Sequence, residues 1–434
     1  MAGASNWDFG WDHRSRRYYY QDRVTGKSTW ETPPGCTLKL PDRPPEDVSV
    51  GPIPEDLPHG WMAVWDLKSK RYYYVNTTKG QERTWFKPPM IQSEMMNRTA
   101  NDLANIPETK AKQSRADMLR NVVWDADSCK HLLEDSALGK SSSTLPKIMR
   151  DVYLSNMTIL QDFYSHERLP VTVPSTYEDC MLALMNRKVV DFGKDPLVTM
   201  SKRSLCDVVL SLAKKDPSRV ICAISDADGV EPGSGYTFGG LGTEENMCRR
   251  IPKLYESLSA ANENGLYPFG PSTCNSAEKR NKYCDVLFTP RLTIVRGHQD
   301  QGFPILKESD QAKLGLISSS APDASRSEIT DDAQLLSGLV TSMLVTPVMR
   351  EPKCTTLVIG PWGVEAGNDA RRMADLFAKA IVGEIQGVGV RMGRLYSQIY
   401  FAIPPPKTPA DENVAEIWRA VLAHPALGLT VLDA

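Results

Sequence analysis

Apolar and polar positions follow two different patterns along the chain. Residues 1–90 contain short aromatic runs separated by polar turns. From residue 146 onward, continuous apolar runs alternate with segments in which apolar residues recur every three or four positions. Continuous apolar runs are typical of buried strands, and the three-to-four spacing is typical of amphipathic helices. The pattern predicts a β-rich N-terminal region followed by a larger α/β domain.

In the larger domain, apolar runs predict buried strands at 219–225, 284–296, 355–360 and 396–403. Amphipathic segments predict helices at 147–164, 201–216, 244–261, 333–350 and 368–385. Strands that alternate with helices indicate an α/β sandwich whose sheet is covered on both faces. In such sheets, ligands bind beyond the carboxyl ends of the strands.

The N-terminal region contains one pattern twice. Residues 7–34 read WDFGWDHRSRRYYYQDRVTGKSTWETPP, and residues 61–89 read WMAVWDLKSKRYYYVNTTKGQERTWFKPP. Each copy has two tryptophans flanking three residues, a basic turn, three tyrosines, and then Thr-Trp and a Pro-Pro pair. Aromatic strands separated by polar turns predict a three-stranded antiparallel sheet in each copy. Because each copy is so short, a few aromatic side chains must supply its core.

Both copies resemble WW domains, which implies two such domains at residues 1–35 and 57–90 with a proline- and acid-rich linker at 36–56. The resemblance places a small core on one face of each sheet, formed by Trp7, Tyr20 and Pro33 and by Trp61, Tyr74 and Pro88. It implies a groove for proline-rich peptides on the other face, formed by Tyr19 with Trp30 and by Tyr73 with Trp85. A register shifted by one residue, with Tyr18 and Tyr20 at the first groove, stays open.

Composition and charge exclude several classes of protein. Hydrophobic residues make up 41% of the chain and charged residues 24%, and the net charge is −2, so no overall field attracts nucleic acid or an anionic membrane. The nine cysteines form no Cys-x-x-Cys pair, which favours reduced thiols and no metal site. No signal peptide or membrane-spanning run is visible. We expect an intracellular protein of the nucleus or cytoplasm that needs no cofactor and binds neither membranes nor nucleic acid directly.

Residues 91–145 are mostly polar, and we interpret them as a linker that is partly helical or disordered. A short helical run is predicted near Met118–Trp124. The third domain is then expected at residues 146–434.

Two glycine-rich loops follow predicted strands in this domain. The first, GSGYTFGGLGTEE at 233–245, ends with Glu244 and Glu245 at the start of a predicted helix. The second, GPWGVEAGNDARR at 360–372, also leads into a helix. Glycines let backbone N–H groups approach a diphosphate, and a helix N-terminus favours anions. The loops therefore predict a phosphate site, although the two acids also have a simpler interpretation as first-turn residues that stabilise the helix dipole.

Residues 150–430 resemble the bacterial-type poly(ADP-ribose) glycohydrolases, a branch of the macrodomain fold. The family loop reads Gly-Gly-Gly, six to eight residues and then Gln-Glu-Glu; here Gly233-Ser234-Gly235 and seven further residues precede Thr243-Glu244-Glu245. The following NMCRRIPKLYESL is similar to the family's next helix. The segments DVLFTPRLTIVR and LVIGPWGVEAGND resemble two further family motifs, and all the motifs fall in family order.

The resemblance implies a macrodomain-like α/β/α sandwich that hydrolyses the bond to an ADP-ribose unit. It assigns Glu245 as the catalytic acid/base and Glu244 to the ribose hydroxyls. The other substrate contacts that it implies are Gly233, Ser234, Gly235, Gly239, Gly240, Thr243, Gly360, Trp362, Gly363 and Asn368. An acid at Glu365 would repel a diphosphate if it faced the pocket.

The leading hypothesis is an ADP-ribose glycohydrolase that tandem WW domains bring to proline-rich proteins. Its substrates would be ADP-ribosylated proteins or poly(ADP-ribose). Two alternatives stay open: a macrodomain that binds ADP-ribose without cleaving it, and a scaffold that has lost both abilities.

Overall fold

The structure is a computed structural model. It describes residues 7–12, 17–22, 25, 27–34, 36, 61–66, 71–76, 83–84, 124–139, 144–163, 167–186, 189–273, 282–324, 333–385, 388–406 and 412–434. The chain divides into two compact units, residues 1–112 and residues 113–434. The predicted helical run at Met118–Trp124 lies outside the described residues, apart from Trp124, which is not helical.

The first unit contains two three-stranded antiparallel sheets, as the repeated pattern predicts. Their strands are β1 (Trp7–Asp12), β2 (Arg17–Asp22), β3 (Ser28–Thr29), β4 (Trp61–Asp66), β5 (Arg71–Asn76) and β6 (Arg83–Thr84). The two sheets pair in the same register, with Trp7 opposite Asp22 in the first and Trp61 opposite Asn76 in the second. The sequence repeat is thus also a structural repeat.

Successive tyrosines of β2 point to opposite faces of the first sheet. The Tyr19 ring meets the Trp30 ring edge to face, with 5.8 Å between the ring centroids, and Trp30 is 41% exposed. Tyr20 and Pro33 are buried, whereas the Tyr18 ring contacts Phe9. The register in which Tyr19 accompanies Trp30 is therefore the one present, and the shifted alternative is not.

In the second sheet, Tyr74 is buried like its counterpart Tyr20. The predicted groove and core residues Trp85 and Pro88 lie outside the described residues, and the side chains of Trp61 and Tyr73 are likewise not described.

The second unit has eight strands and nine α-helices among its described residues. The helices are α1 (Ala126–Ala137), α2 (Leu145–Phe163), α3 (Tyr177–Met185), α4 (Leu205–Lys215), α5 (Thr243–Arg250), α6 (Pro252–Glu263), α7 (Ala333–Arg350), α8 (Ala370–Val382) and α9 (Val414–Leu422). The strands are β7 (Val173–Ser175), β8 (Leu197–Ser201), β9 (Ile221–Asp226), β10 (Val286–Ile294), β11 (Ala312–Ser319), β12 (Thr356–Ile359), β13 (Gln398–Ala402) and β14 (Val431–Asp433).

All eight strands form one mixed sheet in the order β14-β8-β13-β12-β9-β11-β10-β7. The strands from β14 to β11 are parallel to one another, and β10 is antiparallel to both of its neighbours. Strand β9, which the sequence predicts to precede the first glycine loop, lies near the middle of the sheet.

Helices pack on both faces of this sheet. Cys222 and Ile224 point into a core shared with α3, α7, α8 and α9. Ile221 and Ala223, which alternate with them along β9, point into a second core shared with α4, α5 and α6. A strand that is buried on both faces needs a continuous apolar sequence, which accounts for the run that predicts it.

Two features of the second unit differ from the sequence analysis. Helix α1 lies within residues 91–145, which were interpreted as a partly helical or disordered linker, and its Cys129 packs against Ile148 and Phe303 in a third small core. The segment predicted as a single helix at 244–261 is two helices, because α5 ends at Arg250 and Pro252 begins α6. In the part of the chain that the structure describes, no helix is long and apolar enough to cross a membrane.

Candidate active site

Two adjacent strands bring the glycine-rich loops together. Strands β9 and β12 are parallel neighbours, with Ile224 opposite Ile359 near their carboxyl ends. We call residues 227–242, which follow β9, the first loop, and residues 360–369, which follow β12, the second loop. Because both loops leave neighbouring strands at the same edge, they meet there, as the alternation of strands and helices predicts.

Two carboxylates connect the loops. Asp226, at the end of β9, accepts the backbone N–H of Gly363 with 2.9 and 3.1 Å to its two oxygens. Glu365 accepts the backbone N–H of Thr243 at 2.9 Å and the Thr243 hydroxyl at 2.7 Å. Thr243 is the first residue of α5, so the Glu365 carboxylate lies at the N-terminus of that helix.

Glu245 is buried in the first turn of α5 with its carboxylate against the first loop. Its Oε1 accepts the backbone N–H of Gly235 at 3.3 Å. A Cβ atom at Gly240 would lie 2.4 Å from this oxygen, and one at Gly242 would lie 2.6 Å from Oε2. A side chain at either glycine would therefore displace the carboxylate of the predicted catalytic acid.

Glu244 is buried next to Glu245, but its carboxyl group is directed to the backbone of Asp228. Its Oε2 accepts the backbone N–H of Asp228 at 2.8 Å, whereas its Oε1 has no hydrogen-bond partner among the described residues. Burial raises the pKa of Glu244 well above its usual range, and the negative charges of Asp228 and Glu245 raise it further. The site thus holds one carboxyl group that favours its protonated form and has a free oxygen.

A network of buried hydrogen bonds holds the first loop in place. The guanidinium of Arg249 donates to the carbonyl of Gly240, and its Nε donates to the carbonyl of Met149 at 3.4 Å. Asn156 donates to the Tyr236 hydroxyl at 2.8 Å and to the Arg249 carbonyl at 2.9 Å. These contacts tie the loop to helix α2 and limit its freedom to move.

The glycine-serine turn at the start of the first loop has a left-handed backbone. Gly233 has φ +70° and Ser234 has φ +48°. A Cβ atom at Gly233 would lie 2.7 Å from the ring of Tyr255, so this glycine lets α6 pack against the turn. Ser234 therefore adopts a backbone conformation that glycine takes more easily.

Two residues of the second loop that were predicted to contact substrate have buried side chains. Trp362 is wholly buried, donates its indole N–H to the carbonyl of Ser319 at 3.1 Å and packs on Phe377, so it belongs to the core. Asn368 is 8% exposed, and its amide donates to the carbonyls of Pro322 and Gly363. Both side chains are held inside the chain and shape the second loop.

The remaining predicted contacts are placed in the two loops. Gly235 and Gly240 lie against the Glu245 carboxylate, and Gly239 lies against Pro146 of α2. Gly360 donates its N–H to the carbonyl of Ile224 at 3.3 Å. Among the described residues, no group of three or more histidine, cysteine, aspartate or glutamate side chains is arranged to hold a metal ion.

Asp226 is a site residue that the sequence analysis missed. Burial of its carboxyl group beneath the second loop, with a smaller contribution from the charge of Glu365, raises the pKa of Asp226 to about 8. Its signal in the sequence is its place as the polar residue that ends an apolar strand, directly before the first loop. Glu365, which was predicted to repel a diphosphate if it faced the pocket, belongs to the same cluster of acids.

Comparison with solved structures finds similar chains among bacterial poly(ADP-ribose) glycohydrolases. The enzyme from Thermomonospora curvata is 18% identical with a TM-score of 0.49, and the match covers 63% of this chain and 98% of that one. The enzyme from Deinococcus radiodurans, solved in complex with ADP-ribose, is 22% identical with a TM-score of 0.46, and the match covers 62% of this chain and 96% of that one.

Comparison with curated proteins finds one relative in a plant. The chain is 33% identical over 107 residues to pre-mRNA-processing protein 40C of Arabidopsis thaliana. The match covers 23% of this chain and 12% of the plant protein, so the chain spans only about an eighth of that relative's length. In the first unit, the WW domain family model matches residues 57–88. The second of the two N-terminal sheets is therefore a WW domain.

Proposed function

We propose that residues 146–434 form a macrodomain-like ADP-ribose glycohydrolase with Glu245 as its catalytic acid/base. The observation that carries the proposal is the pair of buried, adjacent carboxyl groups that the first loop wraps at the start of α5. The order of motifs from Gly233 to the second loop supports the choice of ADP-ribose, because each motif resembles one in the glycohydrolase family.

The chemistry requires a proton donor at the glycosidic oxygen. Cleavage at the anomeric carbon passes through an oxocarbenium-like state, so the leaving oxygen must gain a proton as its bond to carbon breaks. Glu245 would donate that proton and then, as a carboxylate, accept one from the attacking water. Glu244, whose pKa burial raises, would bind a ribose hydroxyl with its free Oε1.

A second candidate function is recognition of ADP-ribose without hydrolysis. Thr243 favours it, because its hydroxyl donates to Glu365 and the shorter threonine side chain replaces the glutamine of the related loops. A site in which this residue supports the second loop has lost one group that orients the ribose. Such a site would bind the ligand but would position it poorly for attack by water.

The test is to incubate the full chain with an ADP-ribosylated protein and to measure free ADP-ribose. Calorimetry with ADP-ribose on the same preparation separates the candidates. Release of ADP-ribose supports the hydrolase, and binding without release supports the reader. Neither release nor binding would contradict both and leave a scaffold.

We further propose that residues 1–35 form a WW domain like that at 57–88, and that the two bind proline-rich segments of partner proteins. The shared register of the two sheets and the exposed Trp30 beside Tyr19 support this. Two modules that bind one partner raise the effective concentration of the second contact. The free thiols of the described cysteines fit a protein of the nucleus or cytoplasm, where its substrates would be ADP-ribosylated proteins or poly(ADP-ribose).

A further inference from the structure

The groups best suited to hold a diphosphate are already bonded to the chain's own carboxylates. A helix N-terminus attracts anions because its first N–H groups have no partner within the helix. At α5, the Glu365 carboxylate takes the N–H and the hydroxyl of Thr243, at 2.9 and 2.7 Å. In the second loop, the Asp226 carboxylate takes the N–H of Gly363. Each carboxyl group therefore takes an N–H group that an anionic ligand would otherwise use.

A second observation indicates that a ligand group belongs in this place. Glu244 is 5% exposed, and its Oε1 has no hydrogen-bond partner among the described residues. A buried polar atom without a partner costs folding free energy, which a ligand group bound to that atom would recover. Glu244 lies on the same turn of α5 as Thr243, the residue that Glu365 holds.

We infer that Glu365 is a built-in anionic occupant of the ADP-ribose site, and that it sets the affinity of the site by competing with the ligand's diphosphate. The inference rests on the proposed function and adds a determinant of affinity to it. Glu365 is well suited to leave, because its residue is exposed and both of its hydrogen bonds to Thr243 are at the surface. Asp226 is less mobile, because it ends a central strand of the sheet.

Charge explains why the competition would weaken binding. A diphosphate would enter a region that already holds the carboxylates of Asp228 and Glu365, while the Arg249 guanidinium donates to the Gly240 carbonyl. Moving Glu365 aside frees the N–H of Thr243 but leaves a carboxylate near the ligand's negative charge. Removing that charge while keeping the side chain's length should therefore tighten binding.

The experiment compares ADP-ribose binding by the full chain, by Glu365→Gln and by a matched control, Glu178→Gln. Glu178 is an exposed acid in the first turn of α3, which the site does not include. We expect Glu365→Gln to bind about tenfold more tightly than the unaltered chain in calorimetry, while Glu178→Gln binds like the unaltered chain. We also expect Glu365→Gln to melt at a lower temperature without ligand, because α5 loses a charged cap.

The opposite signs of the two effects distinguish competition from a structural role. A purely structural Glu365 would lose stability and affinity together, or stability alone, and either result would overturn the inference. Equal ADP-ribose affinity in all three proteins would overturn it and leave the proposed function standing. If no protein binds ADP-ribose, the proposed function fails and the inference fails with it.

Discussion

At the scale of single residues, the glycines around Glu245 are required by space. A Cβ atom at Gly240 would lie 2.4 Å from Glu245 Oε1 and 3.0 Å from the backbone Cα of Gly235. At Gly360 the nearest atom would be 3.8 Å away, an ordinary contact. Gly360 should therefore tolerate an added side chain better than Gly240, although both were predicted to contact substrate.

Gly240→Ala should lower the free energy of unfolding by about 1–3 kcal/mol, the usual cost of forcing extra atoms into a packed site. Gly360→Ala should cost less than about 0.5 kcal/mol, because no atom must move. Urea denaturation of both variants measures the difference. Equal effects would mean that the loop does not hold Glu245 as described.

Asp226 should make stability fall as pH rises. Burial raises the pKa of this carboxyl from 3.8 to about 8, so between these values the folded protein keeps a proton that the unfolded protein has lost. The free energy of unfolding then decreases with pH over this window, by up to ~1.4 kcal/mol per pH unit. The Asp226→Asn variant has no ionisable group at this position, so its free energy of unfolding does not decrease with pH for this reason.

We therefore expect the stability of Asp226→Asn, relative to the unaltered chain, to increase from pH 5 to pH 8 in urea titrations. Asp285→Asn is the matched control, because burial raises the pKa of Asp285 only to about 6. The stability of Asp285→Asn relative to the unaltered chain should stop increasing near pH 6. A difference for Asp226→Asn that does not change with pH would contradict the account.

The sequence predicts some residues of the site better than others. Glu244 and Glu245 are recognisable because acids after a glycine loop form a local pattern. The buried place of Trp362 and the bonds of Asn368 depend on helix α8 and on a distant strand, which no local pattern specifies. The link between Asp226 and Gly363 joins residues far apart in the chain, so it follows only from the order of strands in the sheet.

At the scale of elements, strands that are apolar throughout were the easiest to predict. The runs that became β9, β10, β12 and β13 are predicted, whereas β8 and β11 are not. Strand β11 reads AKLGLISS, in which lysine, glycine and serine interrupt the apolar run, and its place beside β9 buries it nonetheless. The segment that contains helix α1 was predicted to be partly helical, but the bounds of the helix were not predicted. Its exposed residues outnumber its buried ones, and its contacts include the distant Phe303.

The first loop and helix α2 depend on each other at one glycine. Gly239 has φ +88°, and a Cβ atom there would lie 1.9 Å from the carbonyl oxygen of Pro146, the second residue of α2. Gly265 has φ +76° but no atom within 4 Å of such a Cβ. Alanine substitutions at Gly239 and Gly265 therefore separate the free-energy cost of the left-handed backbone from the cost of the clash with Pro146.

Gly265→Ala should lower the free energy of unfolding by about 1–2 kcal/mol, the cost of the left-handed backbone alone. Gly239→Ala should cost at least ~2 kcal/mol more, because α2 must move away from the loop. It should also increase hydrogen exchange in α2, whereas Gly265→Ala should not. Similar losses in the two variants would show that the helix does not depend on this contact.

At the scale of the whole molecule, the order of regions follows from the sequence, with β-sheets first and an α/β unit second. The start of the second unit does not, because residues 124–139 look like a polar linker until their contacts with residues 145–303 are known. Neither unit by itself identifies the partner proteins that the first unit would bring to the second.

The proposed peptide groove gives a test in the full chain. Trp30→Ala should weaken binding of a proline-rich peptide at least tenfold, because an exposed aromatic ring beside Tyr19 is the expected contact. Tyr20→Phe is the control: its ring lies on the other face of β2, and only a hydroxyl contact with Thr32 is lost. Fluorescence anisotropy with a labelled peptide measures both, and equal affinities would contradict the assignment of the groove.

The most direct test of the central claim is the rate at which the full chain releases ADP-ribose from an ADP-ribosylated protein, with and without Glu245. Glu245→Gln keeps the shape of the side chain and removes its acid, so the rate should fall about 10²- to 10⁴-fold, the usual contribution of a general acid/base. Glu263→Gln, an exposed acid at the end of α6, should keep the full rate. Release that is unchanged in Glu245→Gln would contradict the account.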